Sequence, residues 1–204
     1  FAMKVTRFMH DHGVNQEALR AVSLAAYQHA QNNPRALMNG RPLDEATYDE
    51  SRWITEPFHL FDCCQENDGA AALVLVSGER ARDFPHAPCY VLGAVSGSQH
   101  RAGASVHNEP LYATSSFTTV APRLYDMAEV NPADVEVVQS YENFTGGVVM
   151  ALVEHGFCGP DEVNEFFVVE NLLAPNGRLP LTTSGGNLAE AYMPGLGLTI
   201  EAVR

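Results

Sequence analysis

The sequence predicts an α/β layered fold. Apolar runs of strand length at residues 71–77, 89–95 and 135–140 alternate with segments of helical period, and clusters of Gly, Pro and Asn separate them. At 204 residues the chain is long enough to bury a substantial apolar core.

The elements follow in order. Asn15 can cap a helix that runs to Gln28 with Ala18, Leu19, Val22 and Ala26 on one side, and Asn32-Asn33-Pro34 ends it. His10 and His12 fall on an exposed approach to this helix. Residues 34–57 are polar and turn-rich, which predicts an excursion away from the core. After a turn at Asn67-Asp68-Gly69, the run 71–77 reads as a strand buried on both faces of a sheet, with helices on either side. A second block begins near Pro88, so the domain boundary is expected at about residue 86, dividing 1–86 from 87–204. It opens with the strand 89–95 and a polar, glycine-bearing loop over 97–109. Residues 118–130 have helical spacing through Val120, Leu124 and Met127, Asn131-Pro132 stops them, and 135–140 reads as a buried strand. Thr145 can cap the next helix and Gly156 suits its exit. Gly185-Gly186 precedes another, with Asn187 and Glu190 in a capping pattern and Tyr192 carried about two turns along.

Composition excludes several classes. A formal charge of −13, with no Lys or Arg cluster, argues against a nucleic-acid partner. No stretch approaches the roughly 18–20 apolar residues of a membrane span and no leader opens the chain, so a cytoplasmic protein without a membrane partner is expected. The acidity leaves room for an anionic substrate held locally by a cation such as Arg101 or Arg123. Cys63, Cys64, Cys89 and Cys158 have neither zinc-site spacing nor the density of a disulfide scaffold, so reduced buried thiols are expected. No two His residues, including His29, His100 and His107, make a metal-binding pattern around a carboxylate, so no metal is expected.

Two segments can carry chemistry. Residues 137–145 place Tyr141, Glu142 and Asn143 where a strand meets a helix, the end at which α/β folds bind ligands; a packed tyrosine and a fixed turn would give the same pattern. Ser184-Gly185-Gly186 before a helix can bring backbone N–H groups close to a ligand oxygen, or can simply make a turn.

Together these residues resemble the thiolase superfamily, in its sterol-carrier and lipid-transfer branch. Asp62-Cys63-Cys64 followed by Asn67-Asp68-Gly69-Ala70-Ala71-Ala72 is similar to the segment leading into the last strand of the amino-terminal thiolase domain. Tyr141-Glu142-Asn143-Phe144 stands where those thiolases carry His-Asp-Cys-Phe, and Gly185-Gly186 with Tyr192 and Gly195 matches their Gly-Gly to Gly-His-Pro spacing. Tyrosines thus occupy both histidine positions. That pattern resembles the thiolase-like aldolases of steroid side-chain degradation; Thr182 departs from the Asn common there.

The resemblance implies a thiolase-like layered fold, incomplete here, with a further amino-terminal half and about two more strands in a whole member. The fragment alone is not expected to fold or work. The reactive cysteines of a thiolase would lie outside these residues. It also implies retro-aldol cleavage of a bulky β-hydroxyacyl-CoA, with Tyr141 and Tyr192 in the proton-transfer roles and Asn143, Ser184, Gly185 and Gly186 binding substrate. CoA enters as part of the substrate and no separate cofactor is implied. The expected partners are a second copy in a homodimer and a small OB-fold zinc-ribbon protein. The alternatives are a thiolase-type acyltransferase acting on a β-ketoacyl-CoA and a non-catalytic subunit that binds lipid thioesters.

Overall fold

A computed structural model describes residues 1–98 and 111–204. The chain opens with helix α1 (Ala2–His12), which buries Val5 and Phe8 and ends on Gly13 at a left-handed φ of 63°. The expected exposed approach is therefore a helix with one buried stripe. The one-turn spacing of Val5 and Phe8 ahead of a glycine was the signal for it.

Helix α2 (Gln16–Gln31) is central and buried on nearly every side, because Ala18, Ala21, Ala25, Ala26 and Ala30 let neighbouring segments approach closely. Asn15 occupies its N-cap without a side-chain bond, and Asn32 ends it ahead of Pro34. The excursion that follows is more structured than expected. Helix α3 (Glu45–Asp49) is capped by Asp44, whose carboxylate accepts the Thr47 N–H at 2.8 Å, and it buries Tyr48 completely. Strands β1 (Trp53–Thr55) and β2 (Phe58–His59) then form a two-stranded antiparallel ribbon that buries Phe58.

The three expected core strands are not formed among the described residues. Segments 71–77 and 89–95 form no strand pairing among the described residues, and Val74 and Leu75 are 83% and 84% exposed. An apolar run supplies a strand's side chains but not the second backbone its ladder needs. At 135–140 the ladder is a single parallel bridge between Val138 and Leu181.

The helices fare better. Helix α4 (Ala121–Ala128) lies within 118–130, and a 3-10 turn at Pro132–Asp134 follows it. Helix α5 (Thr145–Glu154) begins one residue before the expectation that Thr145 caps it: Phe144 is the N-cap, and the Thr145 hydroxyl, instead of capping, donates to Asp62 at 2.6 Å. Short helices α6 (Val163–Phe166), α7 (Val169–Leu172) and α8 (Gly186–Ala189) precede α9 (Leu196–Val203).

One core joins these pieces. Val5 and Phe8 of α1, Leu19 and Val22 of α2, and Val148 and Leu152 of α5 pack with Phe166, Leu172 and Leu188. Each such side chain contributes about 1.5–3 kcal/mol on burial. The core draws on residues from both sides of position 86, and it fixes the carboxyl end of α2 against the segments that carry the candidate site.

Candidate active site

Three segments are laced together by backbone hydrogen bonds. At the Val138–Leu181 bridge, the Val138 N–H donates to Pro180 at 3.0 Å and the Thr182 N–H donates to Val138 at 2.8 Å, aligning the residues that follow each. The segment after Asp62 closes the third side: Cys64 N–H donates to the Asn143 carbonyl at 3.1 Å and Gln65 N–H to the Asn187 carbonyl at 2.8 Å. Asn67 then brackets Tyr192, its Oδ1 accepting the Tyr192 N–H at 2.8 Å and its Nδ2 donating to the Tyr192 carbonyl at 3.4 Å.

This lacing brings Tyr141 and Tyr192 together. Their hydroxyls are 2.8 Å apart, with ring centroids separated by 6.4 Å. Tyr141 is 43% exposed, so the pair opens to one side of the molecule. Tyr192 lies beyond α8, not on it, because Pro194 and the left-handed Gly195 redirect the chain. The hydrogen bond to Tyr192, with partial burial second, pushes Tyr141 up to about 12, which favours its protonated form.

Glu142, beside Tyr141 in sequence, turns the other way and is fully buried. Its Oε1 accepts a hydrogen bond from the Asn187 N–H, while Oε2 has no partner among the described residues. Burial pushes its carboxyl up to about 8. Sequence reasoning placed Glu142 in a ligand-facing segment but gave it no role.

Ser184, Gly185 and Gly186 are buried, and the amides of the two glycines are occupied inside the protein. Gly185 N–H donates to the Thr182 carbonyl at 3.0 Å and Gly186 N–H to the Ser184 hydroxyl at 3.3 Å. A Cβ on Gly186 would stand 1.6 Å from Glu142 Oε1, and one on Gly185 2.9 Å from the Ala30 side chain. The glycines are therefore needed for close packing, and their amides do not point at a free ligand site. Asn143 joins the site through its carbonyl. Asp62 supports it from beneath, accepting from Tyr48 at 2.7 Å, the His59 N–H at 2.7 Å and Thr145 at 2.6 Å.

Of the thiols, only Cys158 is buried; Cys63 and Cys64 are partly exposed and Cys89 is exposed. Burial pushes Cys63 up to about 11 and Cys64 upward, which disfavours the thiolate at both. A cleft of about 590 Å³ lies beside the site, reaching it through Cys64 and Gln65; Met38, Leu43 and Phe61 line it, with Arg41 and Arg52 among its walls. Arg123 is exposed on α4, and Arg101, His100, His107 and most of the loop 97–109 lie outside the described residues. Among the described residues no three His, Cys, Asp or Glu side chains are grouped to hold a metal ion, and no helix is long and apolar enough to cross a membrane.

A family model described as "Thiolase C-terminal domain-like" matches residues 97–204. The chain is 41% identical over its whole length to a steroid side-chain-cleaving aldolase of Thermomonospora curvata, covering 52% of that protein. It is 38% identical to a 17-hydroxy-3-oxo-4-pregnene-20-carboxyl-CoA lyase of Mycobacterium tuberculosis, covering 53% of it. An acetyl-CoA acetyltransferase of Methanothermobacter thermautotrophicus is 28% identical over 94% of the chain. Among solved structures, an Ltp2-ChsH2(DUF35) aldolase superposes with a TM-score of 0.92 at 40% identity, over 98% of this chain and 53% of that one. The chain thus spans about half the length of the relatives it matches. The two tyrosines, the glycine turn and the matched fold agree: the chain has a thiolase-like α/β fold and belongs to the thiolase C-terminal domain-like family.

Proposed function

We propose that the protein containing this chain is a thiolase-fold aldolase, a carbon–carbon lyase that cleaves a bulky, steroid-type β-hydroxyacyl-CoA by a retro-aldol reaction. The observation that carries the reading is the 2.8 Å contact between the Tyr141 and Tyr192 hydroxyls. Two relatives at 41% and 38% identity bear aldolase and lyase names, which supports it.

Retro-aldol cleavage moves one proton from oxygen to carbon. A base takes the substrate hydroxyl proton, the carbon–carbon bond breaks toward the thioester, and an acid protonates the resulting enolate carbon. A directly bonded tyrosine pair closes that balance. With Tyr192 ionised and Tyr141 protonated, Tyr192 accepts the hydroxyl proton and Tyr141 delivers its own to carbon. A proton passing from Tyr192 to Tyr141 through their hydrogen bond then resets the pair. An unperturbed tyrosine is only about 0.1% ionised at pH 7, and a hydrogen bond donated by a protonated partner is the kind of contact that stabilises an oxyanion.

The apolar cleft beyond Cys64 is of a size suited to a bulky acyl group, and Arg41 and Arg52 suit an anionic thioester. CoA enters as part of the substrate, with no separate cofactor. The working assembly we propose is a cytoplasmic homodimer joined by a small OB-fold zinc-ribbon protein.

The test is turnover by the intact protein. Tyr141→Phe and Tyr192→Phe should each lower cleavage of a β-hydroxyacyl-CoA by about 10²–10⁴-fold. Tyr141→Phe should also abolish solvent deuterium exchange at the α-carbon of the acyl-CoA product, the reverse of its proton delivery. Folding should change by only about 1 kcal/mol. Near-normal turnover by both folded variants would make the tyrosines pocket lining, and cleavage of a β-ketoacyl-CoA that requires free CoA would make the protein an acyltransferase.

A further inference from the structure

We propose that Glu142 is the positioning residue of the tyrosine pair: its carboxyl group, keyed into the Gly185–Gly186 turn, ties the backbone beside Tyr141 to the segment that presents Tyr192. The inference rests on the aldolase reading for its role in turnover, but not for its geometry.

The key is steric as well as polar. Gly186 adopts a φ of 52°, and the place its Cβ would take is occupied by Glu142 Oε1 at 1.6 Å and Thr182 Cγ2 at 2.1 Å. The same oxygen accepts the Asn187 N–H. The start of α8 is thus held by a side chain from the strand-like segment that also carries Tyr141, and three residues beyond α8 comes Tyr192. No other side chain described here joins Tyr141's own segment to this turn by both a hydrogen bond and a filled Cβ position.

The charge state of the key follows from its surroundings. Glu142 is wholly buried, and Glu190, Cys64 and Tyr141 interact with it electrostatically, none of them a cation. Glu190 is engaged by Asn33 at 2.9 Å, with the Arg35 guanidinium 3.6 Å away on its far side. The face of α2 against Gly185 presents Ala26 and Ala30. A neutral carboxyl is the stable form at neutral pH, in line with burial raising it to about 8. Neutrality matters to the pair, because a carboxylate beside Tyr141 opposes formation of a tyrosinate.

Glu142→Gln and Glu142→Ala in the intact protein separate shape from charge. Gln keeps the acceptor and the neutral form, so at neutral pH its turnover should stay within about threefold of wild type. Ala empties the key and should lose about 10²-fold, the scale of a displaced catalytic group. Wild-type turnover should climb with pH as the pair ionises and flatten near about pH 8, whereas Glu142→Gln should continue to climb. Two readouts do not need turnover. The infrared band of a protonated carboxyl should be present at neutral pH and absent from Glu142→Gln, and the tyrosinate absorbance lost in Tyr141→Phe should appear at lower pH in Glu142→Gln than in wild type. An unchanged tyrosinate titration in Glu142→Gln overturns the proposal, as does wild-type turnover in a folded Glu142→Ala. If no hydroxyacyl-CoA is cleaved at all, the aldolase reading fails and the spectroscopic results still decide the role of Glu142.

Discussion

Asp62 shows how a single side chain can set a site it does not enter. Its two oxygens collect the Tyr48 hydroxyl, the His59 N–H and the Thr145 hydroxyl, fastening α3, β2 and the start of α5 to one point under Cys63 and Cys64. Burial raises its carboxyl, and these three donors oppose that rise. Asp62→Ala would orphan all three at about 1–3 kcal/mol each, so chemical denaturation should show a loss of at least about 3 kcal/mol. Asp62→Asn should lose less, because the amide oxygen keeps part of the set. A loss below about 1 kcal/mol for Asp62→Ala would mean that water replaces the carboxylate. None of this was legible in the sequence. The Asp-Cys-Cys segment matched a family pattern there, but the partners of Asp62 come from residues up to 83 positions away.

At the scale of elements, helical periodicity located α2, α4 and α5 because each owes its form to hydrogen bonds within itself, which local sequence can specify. Strand patterns did not transfer, since 71–77 and 89–95 have apolar side chains and no neighbouring backbone to pair with. The expected helix through Tyr192 failed for a local reason: the turn at Met193-Pro194-Gly195 ends helical geometry soon after Ala189. Even so, the spacing from Gly185 to Tyr192 pointed to the right neighbourhood, and the tyrosine contact arises from Asn67 and the Val138–Leu181 bridge instead of from a helix face. Helix α2 carries a pH-sensitive anchor at its last turn. His29 is buried, and its Nε2 accepts the Ala174 N–H at 2.9 Å, which requires the neutral ring. Burial lowers its affinity for a proton below the usual value of 6.5. A depressed histidine contributes stability that is complete above the unfolded value and is lost as pH falls through the folded one. Acidification below about pH 6.5 should therefore destabilise the protein through His29, at no more than about 1.4 kcal/mol per pH unit. His29→Gln, which keeps an acceptor, should remove that part of the acid loss in denaturation curves taken between about pH 7.5 and 5.5. An identical slope for the variant would place the acid sensitivity elsewhere.

For the whole molecule, the balance between charge and exposed apolar surface decides how this chain behaves alone. Val74, Leu75, Tyr90, Val91 and Leu92 are each more than half exposed, and all but Leu92 border, with Phe84 and Val203, an apolar groove. Such a surface exceeds the scattered apolar residues normal for a soluble monomer and favours association. The formal charge of −13 works against association through repulsion, which salt screens over about 10 Å at 0.1 M. The chain expressed alone should therefore bind a hydrophobic dye strongly and self-associate more as ionic strength rises. Leu75→Lys combined with Val91→Lys places charge in the middle of both exposed segments. The double variant should bind less dye and sediment as a smaller species at high salt, with the tyrosine pair undisturbed because neither residue touches the lacing around Tyr141 and Tyr192. Equal dye binding and equal association by the two proteins would locate the adhesive surface elsewhere, with the 590 Å³ cleft beside Cys64 as the next apolar region to test by the same substitutions.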